Sequence, residues 1–276
     1  MGIGRVVAAT ALGIAGLSVL SACGWTFGDE TYSDSNGVGE EFTSVRFAND
    51  AGNITIRTGD TATVERNVHY NDEKPGEDTN RVRNGVLELD ACPVRNCWID
   101  YEVTVPDGTK ISGQADSGNV ELTGVAEANV LASSGNVIVK DVAGVVNVEA
   151  SSGNIELSGI GGAVVAKAES GNVTANGVRG EVTLHASSGD IEARGIGGAA
   201  QVDSASGNVV VELTAARDVW VKAESGNVEL TVPDAAYKVQ LSSGGGHLDS
   251  QVEDDPAGAH QLDLHTDSGN ITVTQA

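Results

Sequence analysis

Carboxylates recurring at one phase of a repeat are the first residues in this chain that could do chemistry. Glu121, Glu156, Glu192 and Glu229 occupy equivalent positions. A lyase or glycosidase needs such groups to converge on one cleft, often beside an Arg or Lys that holds an acidic sugar. Here Ile138, Thr174 and Val210 interrupt the series, no Arg or Lys cluster faces it, and few long loops remain to wall a cleft. A second set lies near the C-terminus: His247, Asp249, Glu253, Asp254, Asp255, His260, Asp263, His265 and Asp267. Imidazoles among so many carboxylates could hold a metal ion. The plainer reading is an acidic surface loop near a C-terminal cap, and no metal site is assigned. With no nucleophile motif, phosphate loop or zinc signature, neither catalytic residues nor cofactors are expected.

Both sets hang on a repeated unit. Ser152-Gly153-Asn154-Ile155-Glu156-Leu157-Ser158-Gly159 has near-copies starting at Ser117, Ser134, Ser170, Ser188, Ser206 and Ser225, with degenerate ones at Ser243 and Ser268. Successive serines are 17, 18, 18, 18, 18, 19, 18 and 25 residues apart. A fixed period with a turn signature marks a solenoid. In the reference unit, Ile155 and Leu157 alternate with polar residues, as do Val164, Ala166 and Ala168, which is the pattern of half-buried strands. Val137, Val173, Ile191, Val209 and Val228 match Ile155, and Val139, Ala175, Ala193, Val211 and Leu230 match Leu157. Small aliphatic residues at one phase imply rungs that stack column on column, because a single rung cannot bury a core alone. Two or three short strands per turn of ~18 residues describe an all-β, single-stranded parallel β-helix or solenoid. An antiparallel sandwich is the alternative.

The Ser-Gly-Asn corner has a structural reading. Gly supplies positive φ for the bend, and Asn tolerates left-handed geometry while bonding local backbone. Asn119, Asn136, Asn154, Asn172, Asn208, Asn227 and Asn270 would then form a ladder, with Asp190 as its charged rung. The competing reading makes this a binding strip of serines and asparagines. The sequons at Asn53, Asn172 and Asn270 read as by-products of the corner rather than glycosylation sites.

Residues 1–22 read as an export signal: Arg5, then an apolar run from Val6 to Leu20 that is too short for a confident membrane span. The run ends in Leu20-Ser21-Ala22-Cys23, which resembles the lipobox of bacterial lipoproteins. That resemblance implies cleavage before Cys23, diacylglycerol on its thiol and acylation of the new terminus, placing the protein on the extracytoplasmic face of a cell membrane. The alternative is an ordinary secretory signal with a chance Cys. Residues 23–41, rich in Gly, Ser, Asp and Thr, read as a flexible tether. Residues 42–116 carry irregular strand signals and read as an N-terminal cap with the first rungs, since a solenoid must seal its open apolar end. Residues 117–276 are the repeats. With Cys23 used by lipid, Cys92 and Cys97 remain, and an even pair in an exported chain suggests a disulfide. Two thiols without a second pair or a nearby His make a poor zinc set.

From Phe42 to Ala276 the chain resembles bacterial adhesin-like families of unknown function, the DUF4097 type and its relative, the head GIN domain type. The resemblance is carried by the recurrent Ser-Gly-Asn/Asp-Ile/Val corners, by Val103-Thr104-Val105-Pro106-Asp107-Gly108 before the first full repeat, and by Tyr237-Lys238-Val239-Gln240-Leu241-Ser242-Ser243-Gly244 near the end. It implies a right-handed parallel β-helix on a cell envelope and transfers no catalytic residues. Charge narrows the partners further. Sixteen Lys and Arg stand against 39 Asp and Glu, a net charge of −23, which opposes binding to nucleic acid or flat adsorption on anionic lipid. The expected function is therefore a non-enzymatic envelope lipoprotein that presents an acidic β-surface for adhesion, interaction or scaffolding. Its partners would be the membrane, through Cys23, and a surface protein or polysaccharide. The alternative is an enzyme or binding protein acting on envelope or extracellular polysaccharide.

Overall fold

The computed structural model describes residues 30–276; the expected export signal, residues 1–22, and the expected lipidation site Cys23 lie outside the described residues. Among the described residues every regular element is a strand, and the strands form one sheet of 13 and another of 12. Between Lys110 and Val232 each rung sends one strand into each sheet. Thus Val164–Ser170 pairs in parallel with Val146–Ser152 and Val182–Ser188 in the 12-stranded sheet. After the corner, Val173–Val178 pairs in parallel with Ile155–Ile160 and Ile191–Ile196 in the 13-stranded sheet. Consecutive rungs pairing in parallel make this a β-solenoid, not a sandwich.

Register follows the apolar columns. Val137, Ile155, Val173, Ile191, Val209 and Val228 stand directly opposite one another, as do Val148, Ala166, Leu184 and Val202. All are buried. A one-residue slip would turn each column outward, so burial fixes the register. A further column was hidden by the period-2 reading: Val125, Val142, Ile160, Val178 and Ile196, all at most 1% exposed. Ile160 falls three residues after Leu157 rather than two, because Gly159 turns the backbone at φ 67° and resets the phase.

Both ends of the stack break sequence order. Ser44–Asn49 lies between Val86–Asp90 and Lys110–Ala115, and Ile54–Thr58 lies between Cys97–Val105 and Val120–Thr123. The first rung in sequence is therefore second in space. At the other end, His260–Ser268 lies between Val219–Ser225 and Tyr237–Ser243, while Ile271–Gln275 lies between Val228–Val232 and Leu248–Ser250. The repeat at Ser268, last in sequence, is inserted one rung in from the end. The inserted rung is the better buried of the two: Leu262, Leu264, Ile271 and Val273 are fully buried, whereas the outermost rung carries half-exposed Val239 and Leu241 and exposed Leu248.

Part of the stretch read as a tether is ordered. Glu30–Gly37 is a strand, antiparallel to Thr63–Tyr70, which is in turn antiparallel to Cys97–Val105. Its sequence is polar, and tertiary contacts order it. The Tyr32 ring meets Tyr70 edge-on at 6.1 Å, the Tyr70 hydroxyl donates to Glu30 at 2.7 Å, and Asp34 accepts from both Nε and Nη2 of Arg66. The Arg66 side chain is wholly buried. It also donates to the Glu77 carbonyl at 2.9 Å and the Thr79 hydroxyl at 2.6 Å, pinning the 71–79 loop over the end of the stack.

Candidate interaction surfaces

The corner ladder is continuous. The backbone amide of each corner residue donates to the Oδ1 of the corner beneath it: Asn53 to Asp100, Asn119 to Asn53, Asn136 to Asn119, Asn154 to Asn136 and Asn172 to Asn154. The series continues through Asp190, Asn208, Asn227 and Asn270, and ends with the His247 amide on Asn270. All ten bonds are 2.7–3.1 Å long. Each Oδ1 is thus engaged by its neighbour's backbone, which leaves the ladder little to offer a ligand. The sequon asparagines 53, 172 and 270 are all members. Asp100 at one end carries no Ser-Gly signature, and at the other His247 follows Ser243-Gly244 only after two further glycines, which is why the sequence pattern passes over them.

The glycine of the corner is demanded twice. Gly171 sits at φ 131°, and a Cβ there would lie 2.1 Å from the Gly153 carbonyl oxygen. Rungs can approach this closely only where no side chain intervenes.

The carboxylate column lies on the outer face of the 13-stranded sheet. Its members do not converge. Glu121 accepts from Lys140 Nζ at 2.9 Å, and Glu192 accepts from Arg194 Nε at 2.5 Å. The structure extends the column at the N-terminal end with Glu102 and Glu65, directly opposite each other in the antiparallel pair. Ser35, Asn67, Glu121 and Ile138 join them around an open groove of about 790 Å³.

The histidines of the C-terminal stretch are dispersed. His247 is at the outermost corner, His260 Nδ1 is 3.4 Å from Asp218, and His265 Nε2 is 2.8 Å from Asp267. Among the described residues no three His, Cys, Asp or Glu side chains are grouped as a metal would require. Cys92 and Cys97 are joined by a disulfide with Cα atoms 5.8 Å apart, closing the turn that enters Cys97–Val105.

Tyr101 is buried beside this turn, its hydroxyl donating to the carbonyls of Asp90 at 2.6 Å and Thr79 at 3.1 Å. Burial pushes its pKa up to about 12. Arg66 is similarly set within the apolar phase of its strand, between Val64 and Val68. Alternation alone would have placed this Arg in the core, a signal that the polar composition around it obscured.

On the outer face of the 12-stranded sheet, Trp220 is 37% exposed beside a groove of about 450 Å³. A model of the Toastrack DUF4097 family matches residues 42–274. The chain belongs to that family. No functionally curated protein matches the chain. Among solved structures, this Toastrack chain is similar to a candidate adhesin from Bacteroides fragilis, with 16% identity, coverage of 90% of this chain and 97% of that one, and a TM-score of 0.44. It is also similar to a candidate adhesin from Parabacteroides distasonis, with 19% identity, coverage of 90% and 97%, and a TM-score of 0.36.

Proposed function

We propose that this Toastrack protein is a lipid-anchored, non-enzymatic component of the cell surface whose solenoid binds a surface protein or polysaccharide. The observation that carries this reading is the registered outer face. On the 12-stranded sheet, Glu149, Lys167, His185, Asp203, Lys222 and His265 stand opposite one another in a single column crossing six rungs. Neighbours in it are one strand spacing apart, about 4.8 Å. Lys167 bonds Glu149 at 3.0 Å, and His185 Nδ1 lies 3.5 Å from Asp203. Such an array offers many weak contacts at a constant repeat, which favours a long or repetitive partner and sums by multivalency.

Anchoring rests on Leu20-Ser21-Ala22-Cys23, and an extracytoplasmic location agrees with the Cys92–Cys97 disulfide. Two measurements test the reading. Cells fed an alkyne fatty acid should label the chain, and Cys23→Ser should abolish the label and release the protein from the membrane fraction. Cells carrying the wild-type chain should attach to purified envelope material better than cells lacking it. New reducing ends in that material would instead identify an enzyme and overturn the proposal.

A further inference from the structure

Between Ser117 and Ala236 the sequence contains a single Phe, Tyr or Trp residue, and that residue faces solvent. Trp220 lies between Val219 and Val221, which are 2% and 0% exposed, so its strand is anchored without it. In the same outward column the nearer rungs carry Asn147, Val165, Thr183, Gln201, Asp263 and Gln240. An indole here withholds a large apolar surface from the core and adds nothing to rung stacking. Trp and Tyr are enriched at contact surfaces, because a rigid amphipathic ring gives much area at little entropic cost.

The surroundings define what the ring could contact. In register, Gln201 and Asp263 flank Trp220 on adjacent strands, and Thr183 lies one rung beyond Gln201. In the neighbouring column Ala199 lies between Glu181 and Asp218, and its short side chain opens the groove beside the indole. One apolar plane, an amide, a hydroxyl and carboxylates along a shallow open trough form a surface for a ring with an apolar face and hydroxyls at its rim. A pyranose has that form. Glu181, Asp218 and Asp263 line the groove with no Lys or Arg, which repels acidic sugars. A quaternary ammonium would call for several aromatic walls around it, and only one is present.

We infer that Trp220, with Gln201, Asp263 and Thr183, forms a subsite for an uncharged glycan chain lying along the outer face of the 12-stranded sheet. This rests on the surface-binding reading above and names its ligand class.

The test uses the lipidated chain in a sugar-free detergent, titrated with laminarin and dextran as neutral glucans, polygalacturonate as an acidic chain, and choline. Expected is saturable binding of a neutral glucan, accompanied by a change in indole fluorescence. Trp220→Ala should weaken it at least tenfold, and Gln201→Ala should weaken it several-fold. Trp220→Phe should keep most of the affinity, and Leu131→Ala, at an exposed apolar residue elsewhere on the sheet, should change nothing. Thermal melting serves as the fold control. Binding of polygalacturonate or choline alone, binding of none of the four, or equal affinity in Trp220→Ala would overturn the inference. Cell attachment separates the two claims. Attachment that persists unchanged in Trp220→Ala removes the subsite and leaves the surface-binding reading standing, whereas no attachment by wild type removes that reading as well.

Discussion

The Oδ1 of Asp190 accepts the Asn208 amide at 2.7 Å, while the Asp190 amide donates to Asn172 Oδ1 at 2.9 Å. A carboxylate thus serves in a ladder otherwise built mainly of carboxamides, because every link from rung to rung is accepted by an Oδ1. The Nδ2 groups of Asn208 and Asn227 make longer contacts of 3.4 and 3.3 Å to the corner beneath. Asp190→Asn keeps the acceptor and should hold stability within about 0.5 kcal/mol. Asn154→Ala deletes the acceptor of the Asn172 amide and should cost about 1 kcal/mol, the net value of one such bond. Urea unfolding of both variants checks this. An equal loss from Asp190→Asn would mean that charge, not the acceptor, is what the rung supplies.

Two glycines with positive φ separate backbone strain from steric exclusion. Gly177 has φ 67°, and a Cβ there would meet nothing nearer than 3.9 Å; Gly171 has φ 131°, and its Cβ would collide with the Gly153 carbonyl. Gly177→Ala should therefore cost only the left-handed penalty, roughly 1–2 kcal/mol. Gly171→Ala must also force two rungs apart, and its loss should exceed about 4 kcal/mol. Denaturation midpoints measured on the two proteins decide between this ranking and a uniform penalty for positive φ.

The same corner explains how much the sequence disclosed. Ser-Gly-Asn marks a conformation that only a narrow set of residues tolerates, so the period, the parallel stack and the apolar columns through Ile155 and Leu157 are legible. Ile160 was not, since the bend at Gly159 shifts the inward phase by one residue. The inserted terminal rungs were also hidden: the order of Ser44–Asn49 and Val86–Asp90 in the sheet depends on which neighbour buries more surface, and local pattern does not encode that. On the surface, the isolation of Trp220 among aliphatic repeats was visible from composition, but the groove beside Ala199 appears only when three rungs are stacked.

Arg66 joins the cap to the stack, and its partners come from two separate segments. Its ion pair with Asp34 holds strand Glu30–Gly37, and its bonds to the Glu77 carbonyl and the Thr79 hydroxyl hold the loop. Arg66→Met should leave the polar groups of the cap unpaired and cost about 3–5 kcal/mol. The loss should be local before it is global. Hydrogen exchange should accelerate first across residues 30–37 and 71–79, while the amides of Val164–Ser170 stay protected. Uniform acceleration along the stack would mean that the cap and rungs unfold as one unit.

Alkaline pH offers an independent probe of the same cap. The Tyr101 pKa is raised from 10.0 to about 12, first by burial, with Thr79 and Arg66 acting against the rise. A phenol whose folded pKa exceeds its unfolded value contributes stability in full below pH 10. That contribution is lost as pH climbs from 10 toward 12, because the unfolded chain releases the proton first. The shift corresponds to roughly 3 kcal/mol at most. Wild type should therefore lose urea resistance steeply across this window. Tyr101→Phe has no proton to release there, and although weaker at neutral pH through loss of the bonds to Asp90 and Thr79, it should show a shallower slope. Parallel slopes for the two proteins would mean that the alkaline transition belongs to other groups.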